Sequence, residues 1–418
     1  MGQSVGLESA RGLARARASI AGIVALALLA LSACTTAPPR NPAPEAALAS
    51  LAAAHPYGID GPGLRFWADD ISDEDIERVL ADRGDILAER LRSRDAADRD
   101  RAWLALSGGG ADGAFGAGLL AGWTTRGDRP DFRIVTGVST GAIVALFAFL
   151  GPDYDPVLRE IYTTYDTEDL VARAILAGLL GGSAVLDTSG YRRLIDQYID
   201  DAVVERLAGE QMRGRALLIG TTNLDASRPV VWNLTAIAAT GHPMAKTLIR
   251  DVIQASSAIP GAFPPQIIPV ETAGGRYDEM HVDGGATQQV MLFSPELSVR
   301  EIDRRLGLDV ARTIYVIINN KLRKPYAPVR PRLAAIAGGA MSSLIGGSGA
   351  GDIYKIFAIA ERDGIALRVT SIPRDFEAEA EELFDPAYMT ALYQTGLKLG
   401  EEGVAWLPHP PDFRPRER

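Results

Sequence analysis

The sequence predicts an α/β protein in which a central, mainly parallel sheet lies between two layers of helices. Short apolar strands alternate with helical segments along most of the chain, glycine-rich turns separate them, and 47% of the 418 residues are hydrophobic. Alternation of strand and helix is typical of a parallel sheet that is covered on both faces. The length and the apolar content are sufficient for one large domain.

The first 33 residues have the pattern of a secretory signal. Three arginines between residues 11 and 17 precede an apolar run over residues 20–31, which is shorter than the roughly 20 residues of a membrane-spanning helix. The sequence Leu31-Ser-Ala-Cys34 resembles the lipobox of bacterial lipoproteins, in which the cysteine is lipidated after cleavage. We therefore expect an exported lipoprotein anchored at the periplasmic face of the outer membrane. The alternative is an ordinary signal with an incidental cysteine.

Charge and composition exclude some partners and set the expected domain limits. Acidic residues outnumber basic residues by 53 to 43, so we expect no nucleic-acid partner, because a negative surface repels phosphate. Cys34 is the only cysteine, which excludes an internal disulfide. Residues 34–60 are predicted to form a proline-rich tether. A helical extension should follow at 61–100, then the main domain at 101–405 and a tail at 406–418.

Within the main domain the alternation is regular. Strands are predicted at residues 103–107, 132–136, 215–221, 229–233, 266–270, 281–283, 313–319 and 366–372. Helices are predicted at residues 114–125, 142–150, 243–254, 353–361 and 386–401. Two apolar stretches rich in glycine and alanine, 171–182 and 333–345, are too short to span a bilayer. We favour close packing in the core for both, and the alternative is a mobile cover over a lipid-binding cleft.

A five-residue motif places a serine at a sharp turn. Gly137-Val-Ser139-Thr-Gly141 matches Gly-x-Ser-x-Gly and lies directly between a predicted strand and a predicted helix. Glycines on both sides permit the strained backbone that lifts the hydroxyl above the sheet, and the positive end of the helix stabilises nearby negative charge. The pattern alone occurs by chance. In this strand-to-helix context it predicts that Ser139 is a nucleophile.

A second glycine-rich turn follows the first strand of the main domain. It contains Gly108, Gly109 and Gly110, and backbone amides of this kind bind anions. Gly108-x-Gly110-x-x-Gly113 also matches the dinucleotide-binding fingerprint, which would indicate a nucleotide-binding oxidoreductase. That fold requires an acidic residue at the end of the next strand, and here that strand ends in the Ser139 motif. We therefore interpret the three glycines as an oxyanion hole.

A nucleophilic serine needs a base, and histidine is scarce in this chain. Of the four histidines, His281 is the only serious candidate, because it lies on a predicted strand. Two residues later that strand ends in Asp283-Gly284-Gly285, which puts a carboxylate at a turn with little side-chain bulk. Aspartate before glycine is also common in ordinary turns. Because residues two apart on a strand face the same side, spacing alone does not choose between His281 and Asp283.

Together, these motifs resemble those of the patatin-like phospholipases. The glycine loop, the serine turn and the Asp-Gly-Gly sequence occur in the family's order, and the blocks Ile219–Asp225 and Ala255–Pro265 are also similar. The resemblance covers roughly residues 100–400. It implies a catalytic dyad of Ser139 and Asp283 without histidine, and an oxyanion loop at Gly108, Gly109 and Gly110. One position departs from the pattern, because many members have a basic residue where this chain has Asp112.

The expected function is hydrolysis of acyl esters in phospholipids or other lipids, as in a phospholipase A. Ser139 would attack the acyl carbonyl, Asp283 would take its proton, and water would then cleave the acyl-enzyme. The expected partners are a lipid substrate and a membrane. We expect no cofactor and no metal, because His, Cys and carboxylate residues do not cluster with metal-ligand spacing. A non-catalytic lipid-binding lipoprotein is the remaining alternative.

Overall fold

The computed structural model describes residues 40–92, 101–173, 186–322, 328–411 and 413. The predicted signal, Cys34 and most of the stretch 171–182 lie outside these residues. The strands are β1 (His55–Pro56), β2 (Arg65–Trp67), β3 (Ala102–Leu106), β4 (Phe132–Val138), β5 (Ala172–Arg173), β6 (Leu186–Asp187), β7 (Ala216–Asn223), β8 (Arg228–Asn233), β9 (Gln266–Thr272), β10 (Gly275–Asp283), β11 (Thr313–Ile318) and β12 (Ala366–Ser371).

The helices follow in chain order. They are α1 (Glu45–Leu48), α2 (Asp73–Arg92), α3 (Gly113–Arg126), α4 (Thr140–Leu150), α5 (Asp155–Thr163), α6 (Thr167–Leu170), α7 (Ser189–Tyr198), α8 (Asp201–Met212), α9 (Leu234–Ala239), α10 (Ala245–Ser256), α11 (Val299–Leu306), α12 (Leu333–Asp363) and α13 (Pro386–Glu402).

A ten-stranded sheet forms the centre of the described chain. Its main path is β1-β9-β10-β7-β4-β3-β11-β12, with β8 pairing β7 and β2 pairing β8. The strands from β7 to β12 along this path are parallel, and β10, β9, β8, β2 and β1 extend them in antiparallel pairs. The predicted α/β architecture with a parallel core between helices is therefore confirmed.

Strand β3 shows how the sheet separates two apolar cores. Leu104 and Leu106 pack into the larger core with residues of α3 and α4. Trp103 and Ala105 pack on the opposite face with residues of α12. All five residues of β3 are buried, as expected for a central strand covered on both faces.

Every strand and helix predicted in the main domain is present, and most of their ends agree within two residues. Two elements begin well before their predicted starts. Strand β10 begins at Gly275, and helix α12 begins at Leu333. Helices α5, α6, α7, α8, α9 and α11 and strands β5 and β6 were not predicted. The sequences of α5, α7, α8 and α11 are strongly charged, so only a few apolar residues carry the helical period. The other four elements have at most six residues each, too few to show a period.

Residues 43–60 pack on the sheet, which differs from the tether predicted through residue 60. Strand β1 pairs with β9, and the Leu48 and Leu51 side chains are buried. Burial of this apolar surface offsets the conformational entropy that an ordered segment loses. Within the helical extension predicted for residues 61–100, the structure has strand β2 at Arg65–Trp67 and helix α2 at Asp73–Arg92.

The C-terminal residues also contact the domain. The backbone of Leu407 forms a bridge with Val369 of β12, and the ring of Trp406 lies 5.2 Å from that of Trp123. The described part of the predicted tail at 406–418 therefore begins as a packed segment, because the partly buried Trp406 packs against the core.

Helix α12 differs from the close packing expected for residues 333–345. That stretch is helical, but the side chains of Ile336 and Leu344 are 53% and 69% exposed. Large apolar residues there lack the regular spacing that forms a continuous buried face. Core packing begins near Ile353, which is buried. Among the described helices, none has the length and apolarity that would let it cross a membrane.

A buried ion pair connects the N-terminal region to β10. Arg65 donates to both carboxylate oxygens of Glu279 at 2.7 and 2.9 Å, and both side chains are at most 1% exposed. Burial alone would raise the pKa of Glu279, but Arg65 and His281 hold it well below its usual value. The pair therefore keeps a charged carboxylate on the strand that ends at Asp283.

We predict that Arg65→Ala lowers the free energy of unfolding by about 3–5 kcal/mol, because the buried Glu279 carboxylate loses its cation. Urea unfolding followed by circular dichroism measures the change. Arg276→Ala is the matched control, because Arg276 lies on β10 like Glu279. Its ion pair with Glu271 is at the surface and should contribute at most about 1 kcal/mol to stability. Equal losses in the two variants would contradict the prediction.

Candidate active site

Strand β7 brings the ends of β4 and β10 together. Strand β4 pairs with the first part of β7, and Val138 lies opposite Gly220. Strand β10 runs antiparallel and places Asp283 opposite Thr221, the next residue of β7. Strand β8 pairs with one edge of β7. Strands β4 and β10 therefore share the opposite edge of β7, and they end beside neighbouring residues of that strand. Ser139 and Asp283 meet at this junction.

Ser139 occupies a strained turn between β4 and α4. Its φ is 56°, in the left-handed region where residues other than glycine are rare. A Cβ on Gly141 would lie 2.5 Å from the carbonyl oxygen of Ser107, so only glycine permits this approach of α4 to the glycine loop. The Ser139 N–H donates to Ser256 Oγ at 2.9 Å, and the Ser256 hydroxyl donates to the Gly220 carbonyl at 2.7 Å.

The side chains of Ser139 and Asp283 are hydrogen-bonded to each other. Ser139 Oγ donates to Asp283 Oδ2 at 2.7 Å, and Asp283 Oδ1 accepts the N–H of Gly285 at 2.7 Å. Burial raises the pKa of Asp283 to about 6, although both hydrogen bonds act to lower it. Asp283 is thus ionised at neutral pH and is a stronger base than an exposed aspartate.

His281 has other partners. Its Nδ1 lies 3.0 Å from Thr221 Oγ1, and its Nε2 lies 3.0 Å from Glu279 Oε2. The ring is fully buried beside Trp232, and burial lowers its pKa. Because both ring nitrogens are engaged away from Ser139, the geometry favours Asp283 as the partner of the serine.

The loop of Gly108, Gly109 and Gly110 lies beside Ser139. A Cβ on Gly108 would be 3.1 Å from the Cβ of Ser139. The N–H of Gly108 donates to the carbonyl of Gln289 at 2.9 Å, which differs from its predicted role as an oxyanion donor. Gly109 and Gly110 line a cavity at Ser139, and no acceptor for their N–H groups is found among the described residues. These two amide N–H groups can therefore donate hydrogen bonds to a bound ligand.

Asparagines at the end of β11 hold the glycine loop in place. Asn319 Nδ2 donates to the Ser107 carbonyl at 2.9 Å, and its Oδ1 accepts the N–H of Gly116 at 3.1 Å. Asn320 Nδ2 donates to the Gly108 carbonyl at 3.1 Å. Neither asparagine is among the residues predicted from the sequence. Polar residues directly after a strand of the parallel core were the signal that could have identified them.

The cavity beside Ser139 and Asp283 has a volume of about 930 Å³. Leu344 and Ser348 of α12 form part of its wall, and Asp112 lies beside the glycine loop. The Asp112 carboxylate accepts a hydrogen bond from the Tyr388 hydroxyl at 2.6 Å. The acidic residue that departs from the family pattern is therefore part of the cavity wall, where it adds negative charge.

Further acidic side chains line the same cavity. They are Glu377, Glu379 and Glu382, whereas Lys321 is the basic residue among the described lining residues. No group of three His, Cys, Asp or Glu residues in the described ranges lies close enough to hold a metal ion. The electrostatic field in the cavity is thus dominated by carboxylates and not by cations.

A second cavity, of about 270 Å³, is apolar and lies between residues 51–80, α11 and the start of the parallel strands. Trp103 and Ala216 line it, and both belong to strand starts, at the opposite end of the sheet from Ser139. It contains none of the predicted site residues.

Comparison with known proteins gives one family match. Residues 104–293, a range that includes Gly108, Ser139 and Asp283, match the family model described as Patatin-like phospholipase. The fold is similar to VipD from Legionella pneumophila, at 13% identity and a TM-score of 0.33, over 74% of this chain and 69% of that chain. It is also similar to human GIVD cytosolic phospholipase A2, at 12% identity and a TM-score of 0.31, over 76% and 56%. No curated protein sequence matches the chain.

We predict that Ser256→Ala lowers the free energy of unfolding by about 1–3 kcal/mol, because the buried Ser139 N–H and Gly220 carbonyl both lose a partner. Urea unfolding measures this loss. Ser343→Ala is the control, since the Ser343 hydroxyl donates to the Gly339 carbonyl on an exposed helix surface. That variant should change stability by no more than about 0.5 kcal/mol. A Ser256→Ala variant as stable as the control would contradict the assigned support of the turn.

Proposed function

We propose that this protein is a serine hydrolase that cleaves acyl esters of phospholipids or other lipids, because residues 104–293 match the family model described as Patatin-like phospholipase. The family match supports lipid hydrolysis in general. The observation that carries the specific proposal is the 2.7 Å hydrogen bond from Ser139 Oγ to Asp283 Oδ2, beside an open cavity.

In the proposed first step, Ser139 Oγ attacks the acyl carbonyl carbon and Asp283 Oδ2 takes the hydroxyl proton. The Gly285 N–H holds the other oxygen of Asp283, so the carboxylate keeps one fixed orientation. The alcohol leaves with that proton, and the acyl group stays on Ser139. A water molecule then attacks the ester carbonyl carbon while Asp283 accepts its proton; Asp283 passes that proton to Ser139 Oγ as the acyl C–O bond breaks, and the fatty acid is released.

A carboxylate with a pKa near 6 is still a weak base toward a hydroxyl, so stabilisation of the tetrahedral oxyanion must contribute heavily. We assign this role to the N–H groups of Gly109 and Gly110. Gly108 is assigned a supporting role, because its N–H already donates to Gln289. This revises the three-donor hole expected from the sequence to two donors from the same loop.

The charge of the cavity supports a preference among substrates. Asp112, Glu377, Glu379 and Glu382 would repel an anionic headgroup that approaches the cavity. We therefore propose that neutral or zwitterionic lipid esters are hydrolysed in preference to anionic ones.

We also propose that the protein is an exported lipoprotein anchored through Cys34, on the basis of the lipobox-like sequence. Cys34→Ala should leave the protein either unprocessed or released from the membrane, because the acceptor of the lipid is absent. Fractionation of cells and mass spectrometry of the N-terminus measure this. Normal processing with unchanged membrane retention would contradict the anchor, without affecting the proposed chemistry.

The dyad is tested by two substitutions on the same strand. Asp283→Asn should lower kcat/KM for a soluble p-nitrophenyl ester by about 10²- to 10⁴-fold, because an amide cannot accept the serine proton. His281→Gln should retain most activity, although it can lower stability, because the ring is engaged with Thr221 and Glu279. Circular dichroism checks that both variants are folded. A folded His281→Gln variant that is the less active of the two would overturn the assignment.

The raised pKa of Asp283 predicts a specific pH profile. The base must be deprotonated, so kcat/KM should fall as the pH decreases through about 6 and should level off above about pH 7. Initial rates with a soluble ester measure the profile, and circular dichroism over the same range excludes unfolding. A midpoint near 4, the value of an exposed aspartate, would show that the titrating group is not a buried Asp283.

A further inference from the structure

An exposed apolar surface borders the mouth of the Ser139 cavity. Val329, Ile336, Leu344 and Leu383 are 54%, 53%, 69% and 43% exposed. Leu344 and Leu383 line the cavity itself, and a Cβ on Gly339 of α12 would lie 3.2 Å from Val329. We call these four residues the apolar rim. Exposed apolar patches of this kind mark interaction sites.

The N-terminal half of α12, which carries two residues of this rim, has no charge. Residues 333–351 contain no Asp, Glu, Lys or Arg, although charged residues make up 23% of the chain. At 1.5 Å per residue, this uncharged half is roughly 28 Å long. A helix half that faces water usually carries charged residues on its outer side. This composition therefore fits an apolar environment better than bulk water.

Charges of both signs stand next to the apolar rim. Arg330 and Arg332 are exposed directly before α12, and neither forms an ion pair with another described residue. Glu377, Glu379 and Glu382 line the cavity beside Leu383. A layer of zwitterionic phospholipid headgroups presents phosphates for the arginines and ammonium groups for the glutamates. Charge complementarity thus favours this layer over a purely anionic one.

We propose that the apolar rim docks on the surface of a zwitterionic phospholipid bilayer, with the N-terminal half of α12 in the interface and Leu344 among the acyl chains. The choice of partner rests on the proposed function, since a lipid hydrolysed at Ser139 must reach the cavity from a bilayer. The helix lies in the interface and does not span it. Docking at the cavity mouth would let an acyl chain move to Ser139 without crossing water.

The test places one fluorescent reporter on the rim and one on a distant surface of the full-length chain. Cys34 is the only cysteine, so Cys34→Ala gives a background without thiols, and Ser139→Ala prevents lipid turnover. Leu344→Cys is labelled with an environment-sensitive nitrobenzoxadiazole dye. Met212→Cys is the matched control, because Met212 is 65% exposed at the end of α8 and does not line the cavity.

With phosphatidylcholine vesicles, the label at residue 344 should gain emission severalfold, shift to shorter wavelength and be quenched by lipids with spin labels on their acyl chains. The label at residue 212 should change little. Adding Ile336→Glu should abolish the shift at 344, since a carboxylate resists insertion. Ser139 is absent from these chains, so the result is independent of the proposed nucleophile.

Several outcomes would overturn the proposal. A label at 344 that stays water-exposed on membrane-bound chains would exclude insertion of the rim. A label that is already shielded without vesicles would indicate a different occupant. Loss of that shielding on dilution would identify a second copy of the chain, and persistence on dilution would identify a segment of the same chain. Equal responses at 344 and 212 would mean that attachment is not specific to the rim.

Discussion

The pairing of two strands on one side of β7 is the constraint on which the site depends. Val138 and Asp283 oppose adjacent residues of β7, so a one-residue slip of β10 would turn Asp283 to the other face of the sheet. The junction is crowded, because a Cβ on Gly284 would lie 2.6 Å from the Gly220 carbonyl oxygen. The glycine after the aspartate is therefore required by close packing as well as by the turn. Ser256, which bonds both Ser139 and Gly220, joins the serine turn to the same strand.

His281 and Asp283 lie two residues apart on β10, but their side chains have different hydrogen-bond partners. His281 and Glu279 belong to a buried network that includes Arg65 and Thr221, whereas Asp283 at the end of the strand faces Ser139. Burial thus acts in opposite directions on two neighbouring groups, raising the pKa of Asp283 and lowering that of His281. This arrangement supports a histidine-free dyad. It also explains why His281 and Asp283 have different roles although residues two apart on a strand face the same side.

Local signals in the sequence predicted most of the fold and pointed to Ser139 and Asp283, which the fold brings into contact in the candidate site. The parallel core follows from buried apolar runs, and Ser139 follows from glycines at fixed spacing around a strand-to-helix junction. Contacts between distant segments could not be predicted in this way. Ser256 and Asn319 hold Ser139 and the glycine loop from 117 and 212 residues away, measured to Ser139 and Ser107. The engagement of Gly108 by Gln289 and the exposure of Leu344 also depend on which elements are neighbours, which residue patterns do not specify.

The central claim is that the environment of Ser139 makes its hydroxyl a nucleophile. Labelling the folded protein with a fluorophosphonate, followed by peptide mass spectrometry, tests this most directly, because the reagent reacts with activated serines and needs no knowledge of the natural lipid. We predict a single adduct at Ser139 that is lost in a folded Asp283→Asn variant. Absence of any adduct on well-folded wild-type protein would contradict the account and would favour a non-catalytic lipid-binding role.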